Sequence, residues 1–355
     1  NVIDPLTLMD EFGTDALRFN ILVGSTPGND TNVGPKKVEA NRNFVNKIWN
    51  MGRFVISALE NQQSADKPGD YTLADSWIWA KLQQLVRDVE RQFQNFQYGQ
   101  AGQQLYDFIW SDFADWYVEV AKEQLKNTAT KARTIDTLAR VFDISLRLLH
   151  PFIPFVTEEV WGHLRRAVLD SGASQIFNDS PHALIVAKWP ESRALEGWED
   201  ANIADFELIQ EIVRSIRNLR AEKNVAPSKR IAANISAGAK TALLKDQASV
   251  IAALAGLSEA ELSITETLQE KPKDAVALVV GSVEMYLPLA GMVDLANEKT
   301  RLEKELKEAM SHIERLEKLL SGDFVNKAPA ALVQKERDKL AGYKDTAEKI
   351  KAQLK

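Results

Sequence analysis

Apolar residues recur at helical spacing through most of the first 200 positions. Val38, Phe44, Val45, Ile48, Trp49, Phe54 and Val55 follow it, as do Trp77, Ile78, Leu82, Leu85, Val86 and Val89 within Leu73–Phe96. Ala101–Leu125 and Ile135–Leu149 continue the pattern, and polar breaks such as NQQSADKPGD separate the runs. Four or five such helices predict an antiparallel bundle over residues 35–200. Within HPFIPFVTEEVW, Thr157 is the expected N-cap of a helix, with Glu158 and Glu159 in its first turn, where the helix dipole favours carboxylates.

After residue 200 the pattern alternates. A helix over Ile203–Glu222, a strand in PSKRIAANI, a helix over Leu243–Leu254 and β-leaning runs at Leu262–Thr265, Ala275–Val280 and Val283–Leu289 predict a small α/β domain with an antiparallel sheet over 201–294. Residues 295–355 carry the clearest period. Leu302, Leu306, Ala309, Ile313, Leu316 and Leu320 step by 4, 3, 4, 3, 4, and Leu340, Tyr343, Ala347, Ile350 and Leu354 by 3, 4, 3, 4. Two heptad seams joined at SGDFVNKAP predict an antiparallel coiled-coil hairpin with arms of roughly 35–40 Å. Ahead of the bundle, residues 1–34 combine an amphipathic stretch (Leu6–Phe19) with the turn-forming loop GSTPGND. The expected fold class is mainly α: a helical bundle, then a small α/β domain, then the hairpin.

Composition narrows the classes. With 355 residues, 45% apolar and 26% charged, the chain is globular material of about two to three domains. No apolar run approaches the roughly 18–20 residues of a bilayer span. The absence of cysteine excludes disulfides and Cys-ligated metals. All eight Trp precede residue 199, a composition shift that suggests a boundary near 200. The first residue is Asn, which reads as a segment of something longer, with active-site motifs expected upstream.

No motif here carries catalysis or a metal. His150, His163, His182 and His312 lie far apart, and no phosphate loop, GxGxxG or GxSxG is present. Charge is more informative. Net charge is −6, yet residues 35–55 hold Lys36, Lys37, Arg42, Lys47 and Arg53 against Glu39 alone. Phe44, Trp49, Phe54 and several Asn are interleaved with them. Cations, rings and amides are what single-stranded RNA readout uses, although an amphipathic helix with its rings in the core shows the same pattern. Lys47, Asn50 and Phe54 fall on one helical face with Arg53 on its flank. Residues 295–355 have 14 Lys plus Arg against 11 Asp plus Glu, which fits either phosphate contact or a solvated coiled coil.

The chain resembles the class I valine–tRNA ligase (valyl-tRNA synthetase) family through NVIDPLTLMDEFGTDALRF, STPGND, VEANRNFVNKIWN, IWSDFADWYVEVAK, LLHPFIPFVTEEVW, IRNLRAEKNVAPSKR and the C-terminal run from LEKELKEAMSHIERLEKLLSGDFVNKAP to KLAGY. Ala114 departs from the family's frequent Cys, and a packing change is expected there. The resemblance implies a stem-contact tail of the catalytic domain (1–34), a helical anticodon-binding domain (35–200), a junction domain (201–294) and a tRNA-binding arm (295–355). It implies anticodon contacts at Lys36, Arg42, Lys47, Asn50, Arg53 and Phe54, and arm contacts at Arg315, Lys318, Lys327, Lys335, Arg337 and Lys339. The HIGH and KMSKS motifs and the editing domain would lie upstream, so this segment alone should be inactive and hold no cofactor. ATP and Mg²⁺ would serve the full-length enzyme. The implied partner is tRNA(Val), with no DNA or membrane, in a cytoplasmic monomer. The alternative is a non-catalytic helical scaffold that uses its coiled coil to bind proteins.

Overall fold

The computed structural model describes residues 3–23, 33–61, 68–172, 181–268, 270, 272, 274–288, 295–322 and 330–353. Two short helices come first, α1 (Pro5–Phe12) and α2 (Thr14–Leu22). Asp4 caps α1 by accepting the Leu6 N–H at 2.9 Å, with Pro5 at the first helical position.

The bundle contains α3 (Pro35–Glu60), α4 (Leu73–Gln94), a bent third element, α7 (Thr128–Leu149) and α8 (Pro154–Asp170). The third element departs from the expected single helix over Ala101–Leu125. It divides into α5 (Tyr98–Asp107), a π-helical segment (Phe108–Tyr117) and α6 (Val118–Gln124). Ten π-helical residues are unusual, since such turns normally occur singly. Inside this segment Phe113 and Tyr117 are fully buried, and Phe113 stacks on Phe142 of α7 at 5.9 Å. Ala114 is buried in the same core. Thr72 and Asp75 form a capping box at the start of α4, and Asp75 also accepts the Tyr117 hydroxyl, joining the two elements. Burial raises the Asp75 carboxyl above the usual carboxylate range despite these bonds.

The start of α8 also differs from expectation. Thr157 is not its N-cap: Pro154 opens the helix, and the Thr157 hydroxyl lies inside it, donating to Ile153 O at 2.8 Å. The carboxylate at the dipole comes from α2, where Asp15 accepts the Val156 N–H at 2.7 Å and the Phe155 N–H at 3.4 Å. Arg18 donates to Phe152 O and Pro151 O, so α2 clamps the proline turn from both sides. Glu158 is occupied elsewhere, accepting the Leu184 and Ile185 N–H groups of a 3₁₀ turn.

Beyond the bundle, α9 (Glu199–Glu222) packs on α4, with Phe206 stacked on Trp77 at 4.3 Å. The sheet contains β1 (Ile231–Ser236), β2 (Leu257–Thr265), β3 (Ala275–Val280) and β4 (Val283–Pro288) in the order β2-β1-β4-β3. It is mixed, contrary to the antiparallel expectation, because β2 pairs parallel to β1. A parallel pair needs a crossover, and two short helices supply it where one was expected: α10 (Thr241–Asp246) and α11 (Ala248–Ala255). Gly256 ends α11 at φ +70. One hydrophobic core runs from Phe19 through the bundle and α9 to Leu287.

The C-terminal helices α12 (Leu295–Ser321) and α13 (Ala330–Gln353) pair with each other as the heptads predict. Ala309, Ile313 and Ala347 form their own core, flanked by Leu306, Leu340 and Tyr343.

Candidate nucleic-acid interface

Helix α3 has a narrow buried stripe: Phe44, Ile48, Met51, Gly52, Val55 and Leu59. Its two flanks do different things. On one flank Trp49, Arg53, Ile56 and Glu60, spaced 4, 3, 4, border α8. Gly52 makes the approach possible, since a Cβ there would lie 2.6 Å from Val160 Cγ1. The result is a cleft of about 760 Å³ lined by Trp49, Asn50, Arg53, Phe54, Val160 and His163 among others. That lies within the roughly 300–1,000 Å³ of small-ligand sites.

The cleft presents an aromatic ring that the core does not use. Trp49 is 41% exposed and meets the His163 ring edge-to-face at 6.3 Å. His163 is oriented by its neighbours: Arg166 donates to Nδ1 at 3.0 Å, so Nε2 carries the proton donated to Glu159 at 3.1 Å. Asn50 and Arg53 are exposed at the rim, and Phe54 is half-buried. A second hollow continues past His163 to Arg166 and Ser171, with Glu60 and Asp170 in its lining.

On the other flank Lys47 is tied down. Its ammonium sits 2.7 Å from Asp115 Oδ1, 3.4 Å from Trp110 O and 3.8 Å from the centroid of the Trp110 ring, all in the π segment. The expected row of Lys47, Asn50 and Phe54 is therefore divided. Asn50, Arg53 and Phe54 line the cleft, and Lys47 faces the π segment. Lys36 is exposed at the far end of α3, about 26 Å from Arg53 along the axis. Arg42 pairs with Glu39 at 3.2 Å and lies over the Phe12 ring of α1 at 5.5 Å. Trp49 and His163 stand outside the set of contacts that the family resemblance implies. Trp49 was identifiable as a ring amid cations, but His163 is brought to it only by packing of α8.

On the arm, Arg315, Lys318, Arg337 and Lys339 are exposed, with Lys339 paired to Glu336 at 2.7 Å. Lys327 lies outside the described residues, as does the side chain of Lys335. Lys344 and Glu317 bridge the two arm helices at 2.6 Å, and His312 stacks on Tyr343 at 4.8 Å.

Comparison with known proteins covers the α8 wall of this cleft, while the matched anticodon-binding range begins after α3. Residues 75–235 match the anticodon-binding domain of tRNA ligase, and residues 294–355 match the valyl tRNA synthetase tRNA binding arm. A valine–tRNA ligase of Dehalococcoides mccartyi is 40% identical over 354 residues, covering 99% of this chain and 39% of that protein. One from Bacillus cereus is 40% identical over 365 residues, covering 100% of this chain and 39% of that protein. The chain thus spans about two fifths of the length of these relatives. A solved LeuRS–tRNA–LeuAMS complex of Agrobacterium radiobacter K84 is a remote likeness, with a TM-score of 0.40 and 20% identity over 57% of this chain and 22% of that one.

Proposed function

We propose that this chain, which belongs to the valine–tRNA ligase family and corresponds to the C-terminal portion of its relatives, holds tRNA(Val) for aminoacylation by the whole enzyme. The observation that carries the reading is the α3–α8 cleft. It offers an exposed indole, a guanidinium and an amide within two helical turns, which suits stacking and edge contacts to unpaired anticodon bases. We divide the work along the expected boundaries: residues 35–200 read the anticodon loop, 201–294 form the junction, and the arm from 295 reaches the outer corner of the tRNA. Within the earlier set, Asn50, Arg53 and Phe54 face the bases, joined by Trp49 and His163. Lys36, Arg42 and Lys47 lie nearer to backbone. Arg315, Lys318, Lys327, Lys335, Arg337 and Lys339 are assigned to the arm contact.

The chain acts as a monomer, because the two arm helices bury their apolar seam on each other. Among the described residues no helix is long and apolar enough to cross a membrane. We assign the steps that need nucleotide to the rest of the enzyme.

Titration of the chain with tRNA(Val) and with the same tRNA altered at the anticodon tests the assignment. Trp49→Ala and Arg53→Ala should weaken native binding by about 5- to 150-fold, the equivalent of one stacked base, and abolish the preference for the native anticodon. Equal affinity of the unaltered chain for both tRNAs would remove base reading from this cleft.

A further inference from the structure

The charge of α9 reverses along its length. Glu199, Asp200, Asp205, Glu207 and Glu211 occupy its first half, with no Lys or Arg among them. From position 214 to 230 there are six cations against Glu222 alone. The helix dipole favours this polarity, and it accounts for part of it. Carbonyl capping accounts for more. Arg217 donates to Leu254 O at 2.7 Å, Arg220 to Gly256 O at 2.8 Å, and Arg230 to Ala252 O and Ala253 O at 3.2 Å, all around the C-terminal end of α11.

Neither cause explains why the charges go unneutralised. Among the described residues none of Arg214, Arg217, Arg220 and Arg230 forms an ion pair with a carboxylate. Arg214 makes no carbonyl cap at all; it lies over the Trp116 ring at 5.1 Å, with Arg217 over the same ring at 5.6 Å. Burial and the neighbouring charge of Arg230 both lower the pKa of Arg220. Arg214, Arg217 and Arg230 are exposed. A surface of like charges without counter-charges is stabilised by a polyanion.

The position of this surface is set by the π segment. Asp115 and Trp110 seat Lys47 of α3, and Trp116, the residue next to Asp115, seats Arg214 and Arg217 of α9. Cations from two elements separated by more than 160 residues thus flank one short stretch of backbone.

We propose that Arg214, Arg217 and Arg230, with Lys47 across the π segment, form a second RNA-binding surface, a phosphate track for the double-helical stem beside the anticodon loop. The proposal rests on the tRNA reading above. Guanidiniums held over an indole and on carbonyl caps are pre-positioned, and backbone contact of this kind carries no base preference.

The test uses the whole 355-residue chain. Asn218 is exposed one turn beyond Arg214 and forms none of the caps, so Asn218→Glu places a negative charge on the track while leaving its supports intact. Arg214→Gln removes a cation. Each variant should weaken tRNA(Val) binding by about three- to tenfold at low salt, and Arg214→Gln should flatten the log K against log salt slope by about one unit. Native and anticodon-altered tRNA should lose affinity equally. Hydroxyl-radical protection of the anticodon stem should fade while thermal melting stays unchanged. Parent-like binding by both variants, alongside loss of anticodon preference in Trp49→Ala, would reject the track and leave the cleft standing. Weakening confined to the native anticodon would make these residues base readers and overturn the proposal. A melting loss in Arg214→Gln with no effect of Asn218→Glu would reduce Arg214 to a structural role. Failure of the unaltered chain to bind tRNA at low salt would overturn both readings.

Discussion

Trp49 and Phe54 are rings on the same helix, five positions apart, and their burial separates their roles. Trp49 is 41% exposed and borders the cleft, whereas half-buried Phe54 also packs on the core. Trp49→Ala should therefore remove RNA affinity with little change in melting. Phe54→Ala should cost both affinity and roughly 1–2 kcal/mol of stability, less than the 3–5 kcal/mol of a fully buried Phe, as denaturant titration would show. Lys47→Ala should lose both its Asp115 and Trp110 contacts and one cation of the phosphate track. A partly exposed ion pair and one cation–π contact together support a stability loss of about 0.5–1.5 kcal/mol, with anticodon preference retained in the same binding assay. His150 makes a prediction about pH. Its Nδ1 lies 2.8 Å from the Thr157 hydroxyl, whose own proton goes to Ile153 O, so Nδ1 carries the imidazole proton, while buried Nε2 makes no hydrogen bond and has the Glu158 carboxylate 3.9 Å away. Burial lowers its pKa from 6.5, outweighing the attraction of Glu158 and Asp15. The folded state then binds fewer protons than the unfolded one, so this contribution to stability is present above about pH 6.5 and is lost as pH falls through the folded pKa. His150→Gln should flatten the fall in melting temperature between about pH 7 and 5; an unchanged profile would contradict the assignment.

Packing of α3 on α8 turns on Gly52. Alanine would favour the helix by about 1 kcal/mol, but its Cβ would sit 2.6 Å from Val160 Cγ1 and 3.4 Å from Phe142 Cε1. Overpacking of this kind costs about 1–3 kcal/mol, so Gly52→Ala should lower the melting temperature. Because Val160 and His163 form the cleft wall, the same change should weaken tRNA binding more than an equally destabilising substitution far from α8. The π segment is the other element with consequences for binding. It carries Trp110, Asp115 and Trp116 to positions where α3 and α9 both reach them.

For the whole molecule, the described residues form a large body core, a small cluster of Leu8, Phe12, Ala16, Leu17 and Val38, and a separate arm core. The body core runs from Phe19 to Leu287, and the arm core of Ala309, Ile313 and Ala347 is distinct from it. Deletion of residues 295–355 should leave the cooperative melting of the body in place and lower tRNA affinity. A body that melts without cooperativity after the deletion would show that the arm completes its core. Net charge is −6, so the proposed tRNA binding would draw on local cations against an unfavourable mean field. Binding should accordingly fall steeply with salt, by somewhat under one log unit per log unit of salt for each phosphate contact.

Heptads at Leu302–Leu320 and Leu340–Leu354 determined the hairpin by themselves, because a seam that pairs locally needs no information from elsewhere. The helices of the bundle were legible for the same reason: a 3.6-residue period reports which face is buried. The α3 cations and rings were equally visible as a candidate RNA surface. Which of its residues open to solvent was not, because Trp49 borders α8 while Lys47 is held by the π segment, and only the positions of α8 and the π segment decide between them. The same holds for Thr157, displaced as a cap by Asp15, 142 residues earlier, and for β2, whose direction depends on how far α10 and α11 carry the chain. Local periodicity records burial of a face, and only tertiary packing brings two distant faces together to make a site.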